Sequence, residues 1–229
     1  MIIYFVRHGH PDYERDCLTE LGKMQAQRTA EHLKDFGIEE IFSSTKGRAM
    51  ETAGYTARML GLEVTPCDFM REISWRSLDG TPLPCDAHPW RLANEYAARG
   101  TPQPGQNWRA QSPYCQSAVA REVDRVIAGF DAFLARKGYQ REGDYYRQTG
   151  EDTDKRIAVF SHGGASLAVF SQLFNLPFPQ LCAFWQLDFT SVTAVSLSDE
   201  RGALIAPKMM GSNDTRHAEG ISALNVYDY

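Results

Sequence analysis

The chain has 229 residues, of which 43% are hydrophobic and 23% charged. That is globular composition, at a length that holds one domain or a core with a sizeable insertion. The net charge of −5 and pI near 5.7 exclude the basic footprint of a general nucleic-acid binder. Five scattered cysteines (Cys17, Cys67, Cys85, Cys115 and Cys182) with no CxxC pair exclude a zinc ribbon or a disulfide framework and fit free thiols in a reducing cytosol. The N-terminal segment lacks a basic region before its apolar run, and no stretch approaches membrane-spanning length, so a soluble cytoplasmic protein without a membrane partner is expected.

Residues 2–6 are a β-branched and aromatic run that stops abruptly at Arg7-His8-Gly9-His10, the pattern of a buried strand ending in a functional loop. Thr19 is placed to cap a helix over 20–36, with Leu18 as its staple and Gly37 as its stop. A strand over 40–43 leads through Ser44-Thr45-Lys46-Gly47 into a helix over 46–60, which Gly61 ends, and 62–67 reads as the next strand. From Thr81 to Pro113 the chain carries six prolines, Trp90 and Trp108, with one short helix at 90–99. This is too long for an ordinary connection and is expected to be a lid or binding insertion. A helix over 116–136 buries Val119, Val123, Val126, Ile127, Phe130 and Leu134. Residues 139–156 form a second, polar excursion. The strand Ile157-Ala158-Val159-Phe160 then ends at Ser161-His162-Gly163-Gly164 and enters a helix over 164–174. Strands near 191–197 and 203–209 flank Asp199-Glu200-Arg201-Gly202 and read as a hairpin.

Strands alternating with helices predict a three-layer α/β/α domain spanning residues 1–229, with a mostly parallel central sheet, an inserted lid at 81–113 and an excursion at 139–156. Ligands bind such sheets beyond the carboxyl ends of the strands. Two strands, 2–6 and 157–161, each deliver a histidine there.

Arg7-His8-Gly9, Ser43-Ser44 with Arg48-Ala49 and Thr52-Ala53, Glu72, Ser117 with Arg125-Val126, Ser161-His162-Gly163, and Asn213-Asp214-Thr215 with His217 follow one another in a distinctive order. This series, together with Leu18-Thr19, Gly22 and Gln25-Ala26, resembles the histidine phosphatase superfamily, which has the phosphoglycerate-mutase-like fold. A lone RHG tripeptide would mean little; the ordered set covers most of the chain.

The resemblance implies catalysis through a phosphohistidine on His8, with Arg7, Arg48, His8, His162 and Gly163 holding the phosphate. Phosphate-monoester hydrolysis is among the slowest uncatalysed reactions, and a neutral histidine that attacks phosphorus divides it into two easier steps. His8 suits the role if a backbone carbonyl holds its Nδ1–H and leaves Nε2 free. Arg7 and Arg48 supply planar bidentate donors for the equatorial oxygens, His162 a further donor, and Glu72 the proton for the leaving alkoxide. The arginines do what a metal otherwise does, so no metal and no cofactor are expected.

Other readings of these residues stand beside that one. A strand-end histidine can be a turn residue, Arg48 a helix-surface arginine, and Glu72 an exposed loop glutamate. His10 departs from the family's usual glutamate; it either lines the mouth of the pocket, with Tyr13 and Trp90 as further substrate contacts, or is a solvated loop residue. His8-x-His10 also suggests a metal-dependent hydrolase, but the additional strand-end ligands of such barrels are missing. Asn213 and His217 read as supports behind the site, and Trp75, Trp90 and Trp108 as core or lid packing in the alternative. Glycine after His162 resembles the mutase-type branch, in which a glutamate after the third strand is the acid. Residues 73–80 keep only part of the family run, and the insertion does not look like that of glycolytic mutases. A phosphatase acting on a small phosphorylated metabolite is therefore expected, with a cofactor-primed phosphoglycerate mutase as the alternative and a non-catalytic phospholigand-binding protein as the third reading.

Overall fold

The computed structural model describes residues 1–150 and 154–221. Its centre is a six-stranded sheet built from β1 (Ile2–Arg7), β4 (Glu40–Ser43), β5 (Val64–Pro66), β8 (Arg156–Ser161), β9 (Val192–Ser196) and β11 (Lys208–Asp214), in the order β11-β9-β1-β8-β4-β5. β1, β8, β4 and β5 run parallel, and β9 pairs antiparallel with both β1 and β11. A two-stranded ribbon, β2 (Pro11–Asp12) with β3 (Cys17–Leu18), follows the first strand. Three short strands, β6 (Tyr139–Glu142), β7 (Tyr145–Gln148) and β10 (Leu204–Ile205), make a separate small sheet.

The two-residue alternation of the central strands sorts their side chains into two cores. Ile3, Phe5, Ile157 and Val159 pack with one apolar cluster, and Tyr4, Val6, Ala158 and Phe160 with the other. The first cluster is covered by α4 (Val119–Arg136), α5 (Gly163–Phe174) and α6 (Phe178–Phe184). The second lies beneath α1 (Glu20–Leu33) and α2 (Gly47–Leu60). Layers of helix, sheet and helix result, as the strand–helix alternation predicts.

Thr19 caps α1 as expected, its side chain accepting from the Gly22 N–H, but the helix stops at Leu33, short of the predicted 36, and Gly37 turns the chain beyond it with φ +69°. α4 likewise starts at Val119 rather than 116 because Tyr114–Gln116 form a separate 3-10 turn. The predicted strand over 203–209 is divided. Leu204 and Ile205 pair with β7, and only from Lys208 does the chain join β9; Pro207 between them lacks the N–H that a continuous ladder needs. The excursion at 139–156 contains the β6–β7 pair, and its residues 151–153 lie outside the described residues. α6 has no counterpart in the sequence reading; Pro177 precedes it and Pro179 sits in its first turn.

The insertion at 81–113 holds α3 (Pro89–Ala98) and short 3-10 turns. Cys85, Asp86 and Ala87 adopt φ +50°, +53° and +56° in succession, a left-handed stretch that costs energy without glycine and turns the chain into His88 and α3. No single helix among the described residues is long and apolar enough to cross a membrane.

Candidate active site

Three adjacent parallel strands, β1, β8 and β4, end at the same rim of the sheet. β1 delivers Arg7 and His8, β8 delivers Ser161 and His162, and β4 delivers Ser43 and Ser44. Arg7 pairs with Ser161 across the ladder, and the His8 N–H continues it to the Ser161 carbonyl at 2.9 Å. His8 and His162 therefore meet with ring centroids 5.1 Å apart, close to the spacing of neighbouring strands.

The His8 ring is fixed on both sides. Nδ1 lies 2.7 Å from the Gly9 carbonyl, which only accepts, so Nδ1 carries the proton. Arg48 Nε donates to Nε2 at 3.3 Å, which requires a lone pair there. Burial drives the His8 pKa well below its ordinary value, and the Arg7 and Arg48 charges push it the same way, against the Gly9 bond. His8 is thus a neutral imidazole that lines the cleft, its Nε2 accepting from Arg48. His162 is neutral for the same reasons, burial first and then His8, Arg48 and Arg7. Its Nδ1 accepts from Arg48 Nη2 at 3.1 Å, which leaves Nε2–H to donate to Ser44 Oγ at 2.8 Å.

Arg48 sits in the first turn of α2, only 8% exposed. Asp16 holds it from behind: its carboxylate accepts from Arg48 Nη1 at 2.5 Å and from the Gly47 N–H at 2.9 Å. Burial alone would raise the Asp16 pKa, but the Gly47 bond and the Arg48 charge outweigh it and hold the carboxyl below its usual range. Arg7 donates to the Leu187 carbonyl at 2.5 Å and stacks 4.1 Å from the Phe189 ring centre. Phe189 also packs on His8 and His10. Asn213, with φ +51°, braces this loop by bonding to the Asp188 backbone and carboxylate. His217 reaches Thr190 at 3.4 Å, and the Thr190 N–H reaches the His8 carbonyl at 3.3 Å.

Glu72 follows β5 at the cleft wall. Oε1 accepts from the Ile73 and Ala165 N–H groups at 3.0 and 2.9 Å, and Oε2 from Gly164 at 3.2 Å. The carboxylate thereby caps the N-terminus of α5, where negative charge is favoured. Arg125 from α4 donates to the Phe69 and Arg71 carbonyls and pins the turn that carries it. Gly164 is required by this contact, since a Cβ there would lie 2.7 Å from Glu72 Oε1.

These groups open into a cavity of about 690 Å³ lined by Arg7, His8, Arg48, Glu72 and Gly163 together with His10, Tyr13, Trp75, His88, Trp90, Arg91 and Phe189. Every residue singled out from the sequence as a site candidate reaches it except His162, which is wholly buried against Arg48 and Ser44. His10 lies at the rim with Nδ1 on Thr19 Oγ1 and its backbone N–H on Gln25 Oε1. Tyr13 is 65% exposed, with the Arg48 guanidinium 5.3 Å from its ring centre. The insertion's aromatics and arginines separate into two groups. Trp90 and Arg91 line the cavity, whereas Trp108 is buried in the core and Arg109 is paired with Asp124. Arg99 pairs with Glu95 away from this cavity. Asp16, Phe189 and His88 were not anticipated from sequence. Asp16 and Phe189 sit in loops without motif or periodicity, and burial with the Arg91 charge lowers the His88 pKa to about 4.

The profile of the histidine phosphatase superfamily (branch 1) matches residues 3–208. The chain belongs to this superfamily. Among curated relatives of this branch 1 member, the probable phosphoglycerate mutase GpmB of Yersinia pestis (strain Pestoides F) is 31% identical over 90 residues, 35% of this chain and 42% of the relative. The match thus spans less than half of either protein. Among solved structures, mycobacterial glucosyl-3-phosphoglycerate phosphatase shares the fold with TM-score 0.65 at 23% identity, over 93% of this chain and 99% of the other. Phosphoserine phosphatase from Entamoeba histolytica, solved with 3-phosphoglyceric acid, gives 0.61 at 20% identity, over 94% and 98%.

Within the superfamily frame, no group of three or more histidine, cysteine, aspartate or glutamate side chains among the described residues is arranged to hold a metal ion. The arrangement sets one neutral imidazole beside two guanidinium groups, and one carboxylate lines the same cavity.

Proposed function

We propose that this superfamily member is a phosphomonoesterase that works through a phosphohistidine on His8 and acts on small phosphorylated metabolites. The observation that carries the reading is the fixed tautomer of His8, neutral, with Nδ1–H donating to the Gly9 carbonyl and the Nε2 lone pair held only by a long bond from Arg48 Nε, which an incoming phosphate can take over. In the first step Nε2 attacks phosphorus, the P–O ester bond breaks, and the leaving oxygen receives its proton through Glu72, whose Oε2 holds a single backbone bond and can carry it. In the second step water attacks the phosphohistidine, the P–N bond breaks, and Glu72 takes the water proton. Arg7 and Arg48 neutralise the phosphoryl oxygens, and Gly163 lets the chain approach them. His162 supports the site from behind, its Nδ1 accepting from Arg48 Nη2 and so holding that guanidinium beside His8.

Three arginines line the cavity against the single carboxylate of Glu72, while His8 and His88 stay neutral. That balance suits a substrate with an anionic group besides its phosphate, met by Arg91, whose exposed pairing with Asp86 at 3.6 Å is weak and exchangeable. His10, Tyr13 and Trp90 contact the remainder of the substrate, and 81–113 serves as the lid of a single domain. Five free thiols support a reducing, cytoplasmic setting. The curated relative's name favours mutase activity as the second reading, which requires a bisphosphorylated primer.

The test is rapid quenching with labelled p-nitrophenyl phosphate, with chelator present. An acid-labile, base-stable label that is absent in His8→Ala supports the reading. A label on another residue type, or activity that only an added metal restores, overturns it; isomerisation of a phosphoglycerate without net phosphate release selects the mutase.

A further inference from the structure

Among the described residues Thr190 is the only β-branched one held at positive φ, +59°, and it is wholly buried beside His8. It stands third in a four-residue turn closed by the Ser191 N–H donating to the Asp188 carbonyl at 3.1 Å. Glycine or asparagine takes that place without strain; a branched side chain does not. A strained residue persists only where its surroundings over-determine it, and here they do. Asn213 accepts from the Asp188 N–H and donates to its carboxylate, both at 2.7 Å, and Gln186 donates to the same carboxylate at 2.8 Å.

β9 pairs with β1 as far as Val192 opposite Val6. The pairing runs on, with the Arg7 N–H donating to the Ser191 carbonyl at 3.2 Å and the Thr190 N–H to the His8 carbonyl at 3.3 Å. With Thr190 extended, the chain would continue past Gly9 along the same line. The left-handed turn reverses it instead and lays the Phe189 ring, 4% exposed, over the end of β1. The ring centre lies 4.1 Å from the Arg7 guanidinium carbon, 5.6 Å from the His8 ring centre and 5.5 Å from that of His10. The same reversal brings the Leu187 carbonyl to Arg7 Nη1 at 2.5 Å. Arg48 is held by a carboxylate, which cancels part of its charge. Leu187 and Phe189 hold Arg7 with a carbonyl and a π face, which orient a guanidinium and leave its charge for an anion. Arg7 is only 4% exposed, so this ring contact lies toward the stronger, desolvated end of its class.

We infer that Phe189 is a positioning residue for phosphoryl transfer, laid over the Arg7 guanidinium by the strained turn so that its plane stays fixed beside His8. The step being positioned rests on the phosphomonoesterase reading; the hold on an anion does not. A guanidinium free to swing on its long side chain meets a phosphate with one bond at a time, whereas a fixed plane offers two together.

Phe189→Leu keeps the site apolar and removes the π face, with Phe189→Met, of adaptable shape, as the second variant should the leucine one fail to fold. Calorimetry with inorganic phosphate measures the hold on the anion apart from turnover, and kinetics with p-nitrophenyl phosphate measure turnover. Either variant is expected to weaken phosphate binding about tenfold and to lower kcat/KM by at least as much. In Arg7→Lys, whose ammonium has no plane to fix, the same change should cost less than about twofold. Asn213→Gly, which tolerates φ +51° but releases Asp188, should reproduce the loss. The acid limb of the pH profile should stay in place, because leucine excludes water from His8 as phenylalanine does. Unchanged phosphate affinity, an equal loss in the Arg7→Lys background, or a displaced acid limb would overturn the inference, and full affinity in Asn213→Gly would overturn the part given to the turn. An Arg7-dependent loss of phosphate binding in a protein that hydrolyses no ester would sink the catalytic reading and leave Phe189 its role in holding the anion. Full turnover that Phe189→Leu does not alter would do the reverse.

Discussion

Asp16→Asn tests whether Arg48 works because it is held. The substitution is conservative where it must be: Asp16 has φ +51°, a conformation that asparagine tolerates as readily as aspartate. Its amide oxygen can still accept from Gly47, while its amide nitrogen now faces the Arg48 guanidinium. What is lost is one charge-assisted bond in a pair whose arginine is 9% and aspartate 36% exposed. This is too enclosed for the small values of surface pairs, and bonds to charged groups contribute roughly 1.5–3 kcal/mol. Arg48 retains its bonds to the His8 and His162 rings, so it stays in the site but samples more orientations. The expected loss in kcat/KM for p-nitrophenyl phosphate is about 10- to 100-fold. Steady-state kinetics on Asp16→Asn, Arg48→Ala and the double variant separate positioning from general damage, with thermal unfolding as the control for folding. Without Arg48 the Asp16 change should cost less than about threefold, because the group it positions is gone. A loss of equal size in both backgrounds would refute the reasoning.

Two further outcomes follow from the same geometry. Gly164→Ala places a Cβ 2.7 Å from Glu72 Oε1 and 2.8 Å from Ile73 Cγ1; denaturant titration should show a loss of about 1–3 kcal/mol, and kcat should fall while inhibition by inorganic phosphate stays nearly unchanged. His8 and His162 have folded pKa values far below 6.5, so between those values and about 6.5 the unfolded chain binds more protons than the folded one. Stability is therefore full above that window and falls as pH drops through it, by up to about 1.4 kcal/mol per unit for each histidine. Thermal melts across that range check the sign.

The parts legible in the sequence are those where neighbouring residues determine the outcome. Residues 2–6 and 157–160 read as strands because they are buried on both faces and so run apolar without interruption, and Thr19 reads as a cap because its partner, Gly22, is three residues on. The strand-end positions of His8 and His162 were visible for the same reason. Asp16 was not, because its partners Gly47 and Arg48 lie some thirty residues away and its own loop carries no period. Phe189 looked like any loop aromatic until the chain folded it beneath Arg7. The division of 203–209 turned on Pro207 and on a partner strand, β7, that arises within a segment read only as polar. Glu72 reads in the sequence as a candidate acid but not as the cap of α5, since that role depends on where a helix ninety residues later begins.

His8 and His162 directly follow β1 and β8, central strands between two apolar cores, whereas Trp90 and Arg91 stand on an insertion entered through a left-handed stretch. Local opening begins where apolar contacts are sparse and backbone is strained, and reaches central strands last. On the proposed function, reactivity and discrimination therefore stand on parts of unequal durability. Warmed or mildly denatured, the molecule would lose its preference among alcohols before it lost the capacity to take up a phosphoryl group. A mutation in the insertion can change what is chosen without disturbing how the bond is broken, which leaves room for one catalytic framework to serve many substrates.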